Sequence, residues 1–331
     1  PTAGLIPEDR SYVDAWVPEG RRAAGSNAVV RRDAAGWPTM VALREDPSVT
    51  VVEENRERHR FVYRSDHFEF GSSQRLNGEI VREFSRLFEE TYETVAALPL
   101  GIHPEAPRGW FRVQLYATEA EYEAAGAPPA SGGLFRGSTG EVMVPLSNLG
   151  VKQVKNRWIM DNRDGNQPLI HEVTHQVMGA WLSVLPVWFV EGSAEYLAAG
   201  RCANGKLTLH ADFDNLAAFL HEQKGIAGRD IDLRHPQRLM IMSHDQWAKD
   251  LAGPGGIKNY YSAMLTFYYF CHADGDGSGR SLIDYCKARV ASLTPNDDRL
   301  ERDRFLLRGR SWEALWQEMI KAFAVRRYRI S

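Results

Sequence analysis

Apolar positions are sparse and unevenly spaced over the first sixty residues, which are punctuated by Pro7, Pro18-Glu19-Gly20 and Gly36-Trp37-Pro38. Short strands joined by turns fit that texture better than helices, and the charged run Glu53–Arg60 reads as a solvated boundary. Phe61–Phe70 then alternates apolar and polar side chains and is rich in β-formers, which predicts a strand or hairpin arm. From Leu76 to Leu98 the period changes. Ile80, Val81, Phe84, Leu87, Phe88, Tyr92 and Val95 recur mostly at steps of three and four, the stripe of an amphipathic helix. Trp110–Tyr116 returns to alternation and reads as a strand. After the glycine-rich Ser131-Gly132-Gly133, a short strand Glu141–Leu146 is expected at a sheet edge, because Pro145 has no N–H to give to a ladder.

Helical spacing dominates the second half of the chain. Asn166 as N-cap and Pro168 in the first turn announce a helix running to about Leu182, and a second is expected from near Pro186 to about Gly200. Helical patterns recur at Phe213–Gln223, Tyr260–His272, Ser281–Leu293 and Trp312–Val325. Strands early and helices late predict an α+β chain in three parts: a β-rich N-terminal extension over 1–60, an α+β catalytic lobe over 61–200, and a helical C-terminal lobe over 201–331.

Composition removes several function classes. With 331 residues, 44% hydrophobic and 25% charged, the chain has ordinary globular proportions and length for a sizeable core. Forty Lys and Arg against 43 Asp and Glu give a net charge of −3, which argues against general affinity for nucleic acid or anionic membranes. No apolar run approaches the roughly 18–20 residues of a membrane span. Cys202, Cys271 and Cys286 are too few, and odd in number, for a disulfide scaffold.

The chemistry concentrates at His171-Glu172-Val173-Thr174-His175. On a helix, residues four apart share one face, so the two imidazoles can bind a single zinc ion, with Glu172 on the flank in reach of a water held there. At this chain's histidine content, such a pattern arises by chance only roughly 0.02 times per chain, so the pattern carries weight. A catalytic zinc wants a third protein ligand. Glu191 follows His175 by sixteen positions, inside Pro186-Val187-Trp188-Phe189-Val190-Glu191-Gly192-Ser193-Ala194-Glu195-Tyr196. That separation lets the chain leave one helix, turn at Leu185-Pro186 and return a second alongside, with small Gly192, Ser193 and Ala194 allowing close approach. His210, His221, His235 and His244 read as ordinary surface or satisfied residues.

His171–Gln176 followed by Pro186–Tyr196 resembles the gluzincins, the thermolysin-like zinc metallopeptidases, and is especially similar to the bacterial peptidase MA-like families and the aminopeptidase-N group. The shared W-x-x-E-G-x-A pattern stands here as Trp188, Glu191, Gly192 and Ala194. The resemblance implies a thermolysin-like catalytic domain with a small mixed sheet, zinc on His171, His175 and Glu191, and Glu172 as general base and acid. It further implies Glu195 as partner of a ligand histidine, and Tyr260, or alternatively Tyr261, as oxyanion stabiliser. The expected partner is a peptide or protein substrate, and the likeness favours export. Two departures stand out: the connection between His175 and Glu191 is shorter than in thermolysin or aminopeptidase N, and the G-x-M-E-N signature of aminopeptidases is absent. An endopeptidase is therefore expected over an aminopeptidase. The alternatives are a catalytically silent, zinc-containing binding protein and hydrolysis of a non-peptide amide or epoxide.

Overall fold

The structure, a computed structural model, describes residues 26–331 apart from 107–108, 130, 156, 161–165, 204, 210–212, 227, 252, 254 and 293–296. The part of the expected N-terminal extension before residue 26, and His210, lie outside the described residues. Strands β1 (Ala28–Arg32), β2 (Pro38–Leu43) and β3 (Thr50–Asn55) form where short strands were expected. β3 is an edge of a six-stranded mixed sheet whose order continues through β4 (Arg60–Arg64), β5 (Phe68–Ser72), β6 (Phe111–Tyr116), β8 (Glu141–Pro145) and β7 (Leu134–Arg136). The charged run forms the β3–β4 hairpin, whose turn over residues 56–59 is exposed. β5, β6 and β8 are mutually parallel, and the remaining pairs are antiparallel.

The expected edge position of Glu141–Leu146 is corrected. β8 lies between β6 and β7, and the edge is β7. Pro145 is tolerated because the β7 pairing ends at Met143, so no ladder bond on that side calls for its missing N–H.

Alternation along the strands turns Phe68, Phe70, Phe111, Val113, Val142 and Val144 to one face, where they are buried. Helix α1 (Gly78–Ala97), capped by the Asn77 side chain on the Ile80 N–H, lays its apolar stripe on that face. Phe84 meets Phe70 at 4.9 Å between ring centroids and Phe88 meets Phe68 at 5.2 Å, both edge to face. The same core takes in helices α3 (Gln167–Val177) and α4 (Val187–Ala198). α2 (Glu119–Ala124) covers a smaller cluster of Tyr122, Leu134 and Met143. Between β8 and α3, strands β9 (Val151–Val154) and β10 (Arg157–Met160) pair with each other as a separate antiparallel ribbon.

α3 stops five residues short of the expected Leu182: beyond Met178 the chain tightens into a 3₁₀ turn over Gly179–Trp181. Asn166 precedes α3 but makes no side-chain cap bond. Every residue of α4 is buried, which is why its apolar residues fall on every side instead of in one stripe, with Glu191 and Glu195 as its two charged residues. Strands β11 (Arg201–Cys202) and β12 (Lys206–Thr208) then return to complete a four-stranded sheet with β2 and β1. The later part is mainly helical, with α5 (Phe213–Lys224), α6 (Pro236–Met240), α7 (His244–Leu251), α8 (Gly256–His272), α9 (Arg280–Ser292) and α10 (Trp312–Val325). The arrangement is the mixed α+β organisation that the order of elements predicts. Among the described residues no helix is long and apolar enough to cross a membrane.

Candidate metal centre

α3 and α4 meet so that three buried donor groups converge. His171 Nε2 and His175 Nε2 are 2.9 Å apart, and Glu191 Oε2 lies 3.3 Å from the first and 3.5 Å from the second. Donor atoms on a tetrahedron with bonds of about 2.0–2.1 Å stand about 3.3–3.4 Å apart; the two distances to Glu191 are close to this, and the two histidine nitrogens stand nearer to each other. The three residues could hold a metal ion. Glu191 Oε2 is buried and takes no hydrogen bond among the described residues. A buried carboxylate oxygen in that state is costly unless a cation meets it, so the donor set fits a metal.

Electrostatics points the same way. Burial alone would raise the Glu191 carboxyl, but the His175 and His171 rings beside it outweigh burial and hold its pKa well below the usual range. Burial lowers the His171 pKa, but Glu191 and Glu195 more than reverse this and lift it to about 10. The two carboxylates thus favour positive charge at His171. His171 Nδ1 lies 3.4 Å from Glu195 Oε1, one turn beyond Glu191, the kind of partner that fixes a ligand imidazole's orientation.

Glu172 projects beside the triad. Its Oε2 accepts the Phe135 backbone N–H of β7 at 2.8 Å. Gly133 makes this possible: a Cβ there would stand 3.3 Å from Glu172 Cγ, so the chain leading into β7 lies directly against the side chain. Burial pushes the Glu172 carboxyl upward, partly offset by the two histidines and by the Phe135 N–H.

Two side chains set the ligand helices. Gln176, next to His175, donates through Nε2 to Arg112 O at 2.6 Å and Gly140 O at 2.9 Å, pinning α3 to the sheet. Gly192, next to Glu191, lets α4 touch α8; a Cβ there would stand 2.5 Å from the Ala263 carbonyl oxygen.

From the helical part, the Tyr260 ring lies 6.0 Å from that of His171, centroid to centroid, and packs edge-on against Trp247 at 5.4 Å. Tyr261 donates its hydroxyl to Asp232 O at 2.8 Å instead. His244, read from sequence as ordinary, opens α7 half-buried and within the field of Glu191. Burial lowers its pKa, and the Glu191 and Asp245 charges raise it by less. Its only sequence trace is the three-residue step to Trp247 on one helix face. His221 is exposed, and His235 caps α6 by accepting the Gln237 N–H. No protein-family model matches the chain, and no curated protein is significantly similar to it.

Proposed function

We propose that this protein is a zinc-dependent metallopeptidase with a thermolysin-like catalytic domain, acting within peptide chains rather than from their amino termini. The observation that carries the reading is the buried convergence of the His171, His175 and Glu191 donor atoms, with the Glu172 carboxylate beside it. Two nitrogen donors and one oxygen donor suit zinc, which supplies a Lewis acid for a carbonyl and lowers the pKa of water. His171, His175 and Glu191 would hold it, and Glu195 would orient His171.

Glu172 is the proton carrier. With Oε2 held by the Phe135 N–H, Oε1 takes the proton from the attacking water and delivers it to the leaving nitrogen. Tyr260, whose ring lies 6.0 Å from that of His171, would meet the negative charge developing on the substrate carbonyl oxygen, with His244, in the field of Glu191, as the second candidate. β7 is the edge strand of the sheet next to Glu172, and an extended substrate would run along that side of the site. Glu172→Gln should retain bound zinc by elemental analysis while losing chelator-sensitive cleavage of a mixed peptide library by about a hundred-fold or more. Undiminished cleavage by that variant would refute the role of Glu172. Zinc in the wild type without cleavage of any peptide would favour a silent binding protein instead.

A further inference from the structure

The segment between the ligand helices, from Met178 to Pro186, is short and decides where Glu191 arrives relative to the histidines. Its own backbone bonds are all local: Trp181 N–H to Met178 O at 2.8 Å, Leu182 N–H to Gly179 O at 3.3 Å, and Val184 and Leu185 N–H both to Trp181 O, at 3.1 and 3.0 Å. A long-range tether comes from 105 positions further along the chain. Arg289 on α9, only 1% exposed, directs Nε and Nη2 to the Val184 carbonyl oxygen at 3.0 and 2.6 Å. Val184 lies nine residues after His175 and seven before Glu191.

A buried guanidinium is an expensive way to hold a loop, since its charge needs compensation. That compensation is present: Nη1 donates to Asp297 O at 2.6 Å and stands 3.5 Å from Glu301. One turn earlier on the same helix face, Tyr285 packs against Trp188 and Phe189, each at 6.3 Å, in the first turn of α4. The Tyr285 hydroxyl is anchored on Asp298 at 2.7 Å. α9 therefore braces the start of the Glu191 helix at two points, one polar and one aromatic.

We propose that Arg289 is a positioning residue for the metal centre: its forked bond to Val184 O sets the register in which Glu191 meets His171 and His175. This rests on the metal-binding reading above. Tolerances on ligand distances are about 0.2 Å, so a small slip of the connection is felt as lost affinity. A lysine reaches the same carbonyl with a single point donor and cannot reproduce the fork.

The test is Zn²⁺ affinity of the full chain by competition with a chromophoric chelator, together with the visible spectrum of the Co²⁺-loaded protein. Wild type, Arg289→Met, Arg289→Lys and a destabilised control, Met319→Ala in the core of α10, are compared. Arg289→Met should weaken Zn²⁺ binding by about ten-fold or more and shift the Co²⁺ bands, with Arg289→Lys between it and wild type. Met319→Ala should lower Tm at least as far with affinity within about two-fold of wild type. If both Arg289 variants keep wild-type affinity and spectrum, Arg289 is a core tether only and the inference fails. If Met319→Ala loses as much affinity as Arg289→Met, the effect is general destabilisation and the inference fails again. A wild type that binds no Zn²⁺ overturns the metal centre itself, a result separable from either.

Discussion

Gly192→Ala tests the packing that brings Glu191 to the histidines. In an ordinary helix interior the change is stabilising, by about 0.5–1 kcal/mol, because alanine loses less backbone freedom. Here the new Cβ would stand 2.5 Å from Ala263 O, 2.9 Å from Ala263 C and 3.2 Å from Phe267 Cβ. The first two atoms belong to the α8 backbone and cannot rotate away. Restoring an ordinary contact of 3.4 Å requires α4 and α8 to separate by roughly 0.9 Å, in a core packed too densely to absorb it. Overpacking of this kind costs about 1–3 kcal/mol, so after the propensity gain the net effect is a loss of up to about 2.5 kcal/mol. Differential scanning calorimetry should show Tm lower by a few degrees. Because residue 192 adjoins the ligand, a shift of that size exceeds the tolerance of a metal shell, and Zn²⁺ affinity should fall about ten-fold or more. A variant with raised Tm and unchanged affinity would mean that the two helices do not touch at this residue.

Separate parts of the molecule give three further expected outcomes. A chelator should lower the Tm of protein loaded with zinc, since a cation at a hundred times its Kd stabilises by about 2.7 kcal/mol; an unchanged Tm in calorimetry would argue against the His171–His175–Glu191 site. Burial raises the Glu90 carboxyl to about 7 despite the Cys202 thiol donating to it at 2.8 Å. With a folded pKa above the unfolded 4.5, its contribution is complete below pH 4.5 and lost as pH rises through 7. Glu90→Gln should therefore gain up to about 3 kcal/mol over wild type at pH 8.5 and little at pH 4.5, read from urea midpoints; a pH-independent difference would refute the shift. Phe84→Ala, emptying the core beneath Phe70, should cost about 3–5 kcal/mol in the same titration, and a loss under 1 kcal/mol would contradict its burial.

The sequence alone determined the elements with strong periods and singled out the three residues that could hold a metal ion. The stripe from Ile80 to Val95 fixes α1 because burying one face of a helix demands that spacing. The four-residue step from His171 to His175 places two imidazoles together by helix geometry alone, without any help from distant parts of the chain. Glu191 was legible for a related reason: a carboxylate amid Trp188, Phe189 and Val190 needs a partner wherever that helix packs.

Only the tertiary structure decided the rest. The edge strand is β7 and not β8, because three residues of pairing are too short to carry a period. The Phe135 N–H reaches Glu172 through a backbone group that sequence patterns do not see. His244 sits in the field of Glu191, and Tyr260 rather than Tyr261 faces His171, through contacts spanning tens of residues. Arg289 finds Val184 across 105 positions. Local spacing is written in the chain, whereas these contacts come into being only when separate elements share one core and their remaining polar groups must find partners.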